Sequence, residues 1–369
     1  MRFALAGLAA LAVAMGIGRF AFTPVLPMMQ QDAGLSVAGG GWLASANYLG
    51  YLAGALWAGA TRAHSATAIR AGLAVIGIAT LAMALDAGFA AWALLRAIAG
   101  VASAWVLVHT SAWALERVLP LGRPVLAGIL YAGVGAGIVV AGGSCVLLMA
   151  AGAGSASAWL LLGIVAVATT AALWPVLHSP EETERTIAGP HLWTWAQARL
   201  VLAYGAYGFG YIIPATFLPV MAREVVSDPA VFGWAWPVFG AAAALSTLAV
   251  ALLAPRHGHR AAWIASQLAM ALGVAAPVFW PGIGGIVLAA LCVGGTFVVI
   301  TMVGMQEARG VAGAQAPRLM AAMTAAFAAG QIAGPLSVSL IVGLGGGFAA
   351  ALLIACGVLV AGALLLLRR

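Results

Sequence analysis

Long apolar runs constrain this chain more than any other feature. About 20 apolar residues span the roughly 30 Å hydrocarbon core of a bilayer. Runs of that length recur at 3–28, 41–60, 69–86, 88–114, 124–150, 156–177, 198–221, 231–254, 261–279, 282–305, 317–342 and 347–367. They predict an all-α integral membrane protein with 12 transmembrane helices. Hydrophobic residues make up 64% of the chain and charged residues 7%, where a soluble domain carries roughly a quarter charged. The 48 glycines fit a membrane bundle, because small residues let helix backbones approach closely. Cys145, Cys292 and Cys356 lie in apolar runs without framework spacing, so buried thiols are expected, with no disulfide, metal site or cofactor. Arg2 before the first run imitates a signal peptide, but the run is twice a typical apolar leader core and is read as the first helix.

A formal charge of +7 would suit a nucleic-acid partner if it clustered on a soluble face. Its placement points elsewhere. All 16 basic residues are arginine. If the chain starts inside, Arg2, Arg62, Arg70, Arg117, Arg123, Arg185, Arg199, Arg256, Arg260, Arg309, Arg318, Arg368 and Arg369 fall inside and Arg223 outside. The positive-inside rule then predicts both termini cytoplasmic, and the expected location is the plasma (cell inner) membrane. Arg19 and Arg96 are left within the runs. The 13 tryptophans concentrate near run ends and read as interfacial anchors.

The polar stretch HSPEETERTIAGPH at 178–191 divides the chain. The expected domains are an N-terminal six-helix bundle over 1–177, a cytoplasmic linker over 178–197 and a C-terminal six-helix bundle over 198–369. A shift of 192 residues places Gly16 and Gly18 on Gly208 and Gly210, Leu26-Pro27 on Leu218-Pro219, and Gly41-Trp42 on Gly233-Trp234. At nearly the same shift Glu116 meets Glu307, and Gly133 and Gly137 meet Gly330 and Gly334. Six spans return a chain to its starting side, so the repeats are parallel about an axis along the membrane normal.

Charge within the runs is the candidate chemistry. An arginine at a helix centre costs roughly 2.5–3.5 kcal/mol on insertion scales, which makes Arg19 and Arg96 functional candidates. At 1.5 Å per residue Arg19 lies about 24 Å along the first run and Arg96 about 12 Å from the outer face, at similar depths. Asp32 and Asp86 lie near outer ends, and Glu116 and Glu307 near inner ends, so neither arginine has a carboxylate at its depth. An anionic solute would complete the charge through the planar fork that matches carboxylate or phosphate. The structural alternative stands beside it: Arg19 bonded to carbonyls freed by Pro24 and Pro27 or to Asn47, and Arg96 reaching toward Asp86.

Tyr204, Tyr207 and Tyr211 form one stripe at spacings of three and four and run to mid-span, as a cavity face would. Ser103 and Thr110 share a face with Arg96, Asn47 shares one with Tyr51, and Gln331 shares one with Thr324 and Phe327. The candidate solute-binding residues are thus Arg19, Arg96, Asn47, Tyr51, Ser103, Tyr204, Tyr207, Tyr211 and Gln331. Pro24, Pro27, Glu116, Arg117, Arg256, Arg260, Glu307 and Arg309 are candidate structural or gating residues. Under the repeat Arg19 corresponds to Tyr211, so the charge is confined to the first half. His109 lies roughly 220° from Arg96 around its helix and reads as a core residue.

Twelve spans in parallel six-helix repeats resemble the major facilitator superfamily. The segments GIGRFAFTPVLPMM, ANYLGYLAGAL and GQIAGP are similar to its YbfB/YjiJ-type branch. The resemblance implies that helices 1, 4, 7 and 10 line a central cavity, that helices 2, 5, 8 and 11 meet between the halves, that helices 3, 6, 9 and 12 face lipid, and that the protein is a monomer. The chain departs from the superfamily where GATRAHSATAIR keeps only the basic residues of the loop after helix 2, and where LAPRHGHRAA has Pro255 in place of an acid. GVGAGIVVAGG also lacks the helix 5 proline of many antiporters.

The expected function is secondary active transport of a small organic anion by alternating access, with a coupling proton or exchanged anion as a further partner beside the lipid bilayer. The alternatives are efflux of hydrophobic solutes and a non-transporting membrane sensor or scaffold. An enzyme would need a nucleophile, metal cluster or carboxylate pair at one depth, and the sequence offers none.

Overall fold

The computed structural model describes residues 1–61, 64–177, 193–225, 229–344 and 347–367, with all side chains except those of 217–225, 229–233, 254–256 and 342–343. No strand occurs among the described residues. The chain is read here as α1 (Arg2–Asp32), α2 (Val37–Ala60), α3 (Ser65–Ala82), α4 (Phe89–Val118), α5 (Val125–Ala150) and α6 (Ser155–Leu173). After the linker come α7 (Trp195–Val225), α8 (Pro229–His257), α9 (His259–Phe279), α10 (Ile283–Ala312), α11 (Ala316–Gly343) and α12 (Phe348–Leu365). Left-handed glycines turn the chain between successive helices, among them Gly34, Gly88, Gly258 and Gly282, because no side chain opposes positive φ there.

Among the described residues, nine stretches are long and apolar enough to cross a membrane. That measure does not reach the expected 12. Ile283–Ile341 counts once although it holds two helices, α2 carries Asn47, Tyr48 and Tyr51, and α7 has side chains described only to residue 216.

The two sets of six helices pack in parallel ways. In the first, α1 crosses α5, α2 packs on α4, and α3 on α4 and α6; in the second, α7 crosses α11, α8 packs on α10, and α9 on α10 and α12. The repeated glycines sit at the matching crossings. A Cβ at Gly16 would run into the Gly137 backbone, and one at Gly208 would run into Phe327. Gly133 lies on Leu8 of α1 as Gly330 lies on Gly205 of α7. The two sets meet where α5 packs on α8 and α2 on α11. On α5 the contact runs through Gly128, Gly135 and Gly142, one every seven residues, against Ala251, Gly240 and Pro237.

One helix departs from ideal geometry in a way the sequence reading did not anticipate. Within α1, Arg2–Leu11 and Phe22–Asp32 are α-helical, but Ala12–Phe20 is π-helical. Pro24 has no N–H to give to Phe20 at α spacing or to Arg19 at π spacing, and such loosened stretches often mark functional positions. At its far end α1 is tied down by Asp32. Its carboxylate accepts from the Ser155 backbone N–H and, at 2.8 Å, from the Ser155 hydroxyl, which caps the start of α6.

Candidate functional site

Both intramembrane arginines are 3% exposed, and their guanidiniums are used differently. Arg96 of α4 donates from Nη1 to the Gly18 carbonyl at 3.2 Å and from Nη2 to the Arg19 carbonyl at 3.1 Å. It lies over Phe22, 4.8 Å from the ring centre. These are the backbone acceptors at the end of the π-helical stretch. Asn47 of α2 closes the joint: Nδ2 donates to the Arg96 carbonyl at 2.9 Å and reaches the Gly18 carbonyl at 3.5 Å. The Arg19 carbonyl, which Pro24 leaves free at π spacing, is therefore taken by Arg96, whereas the sequence reading had offered the freed carbonyls to the Arg19 side chain.

Arg19 turns the other way, toward α11. Its Nη2 donates to Oε1 of Gln331, while Nε and Nη1 have no hydrogen-bond partner among the described residues. The guanidinium stacks on Tyr51, 3.8 Å from the ring centre, with Phe20 at 5.5 Å, Phe327 at 5.6 Å and Tyr48 at 5.8 Å. Such stacking favours a desolvated guanidinium by about 2 kcal/mol. None of these partners is a carboxylate. Nε2 of Gln331 and Oδ1 of Asn47 are also buried without partners among the described residues. Arg19 and Gln331 thus come together from opposite ends of the sequence, with Tyr51 beneath them.

The tyrosine stripe is fully buried and faces neighbouring helices. Tyr204 lies 3.2 Å from Oγ1 of Thr301 through its hydroxyl, and Tyr207 donates to the Phe297 carbonyl at 2.7 Å. Tyr211 stacks on Phe297 with centres 5.3 Å apart and planes 18° apart. Ser103 donates to the Ala99 carbonyl at 2.7 Å and lies against Gly18, so it packs α4 on α1.

Sequence reasoning missed Phe20, Tyr48, Trp236, Phe239 and Phe297. Trp236 was read with the interfacial anchors, but it stacks on Phe239, with planes 7° apart, as a half-buried member of the aromatic cluster. The signal for Phe20 was its place beside Arg19; nothing in the sequence singles out Phe297 from other apolar residues.

At the end of the bundle where α4 and α10 stop, Arg309 pairs with Glu116 at 3.7 Å, linking the two sets of six helices. Arg260 of α9 pairs with Glu307 of α10 at 2.9 Å. Arg117 donates to the Trp113 carbonyl at 3.0 Å and lies over Phe3 and Trp113. The Arg256 side chain and most of the linker, 178–192, lie outside the described residues. Among the described residues no group of three or more His, Cys, Asp and Glu side chains could hold a metal ion.

A family profile described as "Uncharacterised MFS-type transporter YbfB" matches residues 11–367. No curated protein sequence matches the chain. Among solved structures, the human organic anion transporter MFSD10 (TETRAN) superposes with a TM-score of 0.76 at 15% identity, over 99% of each chain. At that identity the likeness is one of fold.

Proposed function

The chain belongs to the YbfB-type family of MFS transporters, and from that premise we propose that it moves a small organic anion, with Arg19 as the group that meets it. One observation carries this reading: a buried guanidinium at the meeting of α1, α2 and α11 has two of its three nitrogens unpartnered and no carboxylate beside it. A cation left so in a bilayer interior is costly, and a carboxylate is the group whose acceptors match its fork. Arg96 has a positioning role here, since both its terminal nitrogens hold the backbone that presents Arg19.

Alternating access follows from the arrangement in this proposal. Arg19 and Gln331 belong to opposite six-helix halves, as do Glu116 and Arg309, so separating the halves breaks one link at the centre and one at an end. In this proposal that end lies in the cytoplasm with both termini, which the arginine distribution supports, and the protein is a plasma membrane monomer, as the family resemblance implies.

The test is ligand-induced stabilisation of purified protein over a panel of monocarboxylates and quaternary ammonium cations. Carboxylates are expected to raise the melting temperature of the wild type. Arg19→Gln should weaken them about a hundredfold, the worth of a charged hydrogen-bonded pair. Stabilisation by cations alone, unchanged in Arg19→Gln, would overturn the anion reading in favour of hydrophobic-cation efflux.

A further inference from the structure

The rings beside Arg19 are ordered in a way that specifies the solute further. Phe239 of α8 lies on Phe297 of α10 with centres 5.0 Å apart and planes 19° apart, and Tyr211 of α7 stacks on Phe297 as well. Trp236 extends the stack on Phe239. Three helices of the second half thus build one set of near-parallel rings. The first half adds Phe20, whose ring meets Phe297 edge-on at 6.0 Å and 86°, and Trp236 at 6.3 Å and 62°. Edge-to-face contact is the arrangement that the ring quadrupole favours.

Phe20 follows Arg19 in sequence, and both reach across to the second half: the guanidinium to Gln331, the ring to Phe297 and Trp236. When α1 draws away, the two contacts are lost together. What is uncovered is the aromatic surface that Phe20 had covered, beside a vacated amide, with the Arg19 fork opposite. We propose that Phe20 holds, in the closed molecule, the place of the solute's own ring, and that the solute is an aryl monocarboxylate. Its ring rests on Phe297 and Trp236, and its carboxylate lies between Nε and Nη1 of Arg19 and Nε2 of Gln331, three buried donors without partners. One carboxylate suffices because Arg96 is already bonded through both terminal nitrogens. The Phe20 ring centre lies 5.5 Å from the Arg19 guanidinium carbon, which sets the acid on the ring or one carbon from it. This inference rests on the anion reading of Arg19.

The experiment measures binding of benzoate, phenylacetate, cyclohexanecarboxylate and benzamide to the full chain in lipid nanodiscs. Benzoate and phenylacetate are expected to bind about tenfold tighter than cyclohexanecarboxylate, the scale of an aromatic pair beyond its buried area. Benzamide, which has the ring without the charge, is expected to bind at least tenfold more weakly than benzoate. Phe297→Leu should erase the aryl preference, bringing benzoate and cyclohexanecarboxylate to the same affinity, and Phe20→Leu should tighten benzoate by removing its competitor. Equal affinity of the wild type for benzoate and cyclohexanecarboxylate would overturn the aryl inference and leave the Arg19 reading standing. Absence of carboxylate binding altogether would remove both. The wild-type panel decides the matter even if a variant fails to fold.

Discussion

Where α1 crosses α5, Gly16 meets the backbone at Gly137; where α7 crosses α11, Gly208 meets the backbone at Phe327. Three residues beyond each of these glycines the likeness ends. Arg19 of α1 leaves two donors unpartnered, while Tyr211 of α7 is buried in a stack of rings. The backbone differs too, π-helical over Ala12–Phe20 in α1 and α-helical along Trp195–Val225. The frame of a membrane helix crossing is set by residues that lack side chains, so the side chain one turn away is free to change. One copy of the crossing carries the charge and the other the apolar surface.

The strongest way to break this comparison is to fill the crossings. Gly16→Val and Gly208→Val each drive a side chain into a facing backbone, and each is expected to cost at least ~3 kcal/mol, the upper end of overpacking. Size-exclusion profiles and melting curves check it, and the two variants should fail alike. A large loss from one with none from the other would show that the crossings are not equivalent. Gly143→Ala, which meets nothing within 4 Å, is the control.

A smaller effect sharpens the contrast between the two arginines. Arg96→Gln strips the Gly18 and Arg19 carbonyls of their guanidinium partners and is expected to destabilise the protein by about 2–3 kcal/mol. Arg19→Gln removes a buried charge that has rings and one amide about it but leaves two donors unpartnered. It is expected to move the melting temperature less than Arg96→Gln, because burying a charge without full compensation costs free energy that offsets the lost contacts. Melting curves of the pair decide it. Equal destabilisation by both would show that Arg19 is as structural as Arg96.

The smallest effect is expected at the end of the bundle. The Glu116 side chain is 47% exposed, and an exposed pair contributes at most about 1 kcal/mol. Glu116→Gln should therefore barely move the melting temperature, while changing cysteine-labelling rates at that end, an effect that added salt reproduces in the wild type. No change in labelling would remove the pair from any gating role.

The spans and crossings were legible because their signals are local: apolar runs of bilayer length, and glycines at repeated positions. The depth of Arg19 and Arg96 was legible for the same reason. Their division of labour was not. It depends on which way each guanidinium turns around its helix, and the π-helical stretch changes that direction in α1. The missing N–H of Pro24 hinted at freed carbonyls, but not that the taker would come from α4. Tyr211 and Phe327 stood out by spacing, whereas Phe239 and Phe297 join them only through contacts between distant segments.

The line of Gly128, Gly135 and Gly142 on α5 has a mechanical consequence. Most helix contacts interlock through side chains that must choose new rotamers when the helices turn. Along this line α5 presents glycine Cα atoms in place of side chains, so a small roll there changes dispersion contacts and leaves fewer side chains to reset. In the alternating access proposed above, this line between α5 and α8 serves as a smooth bearing on which the two halves turn.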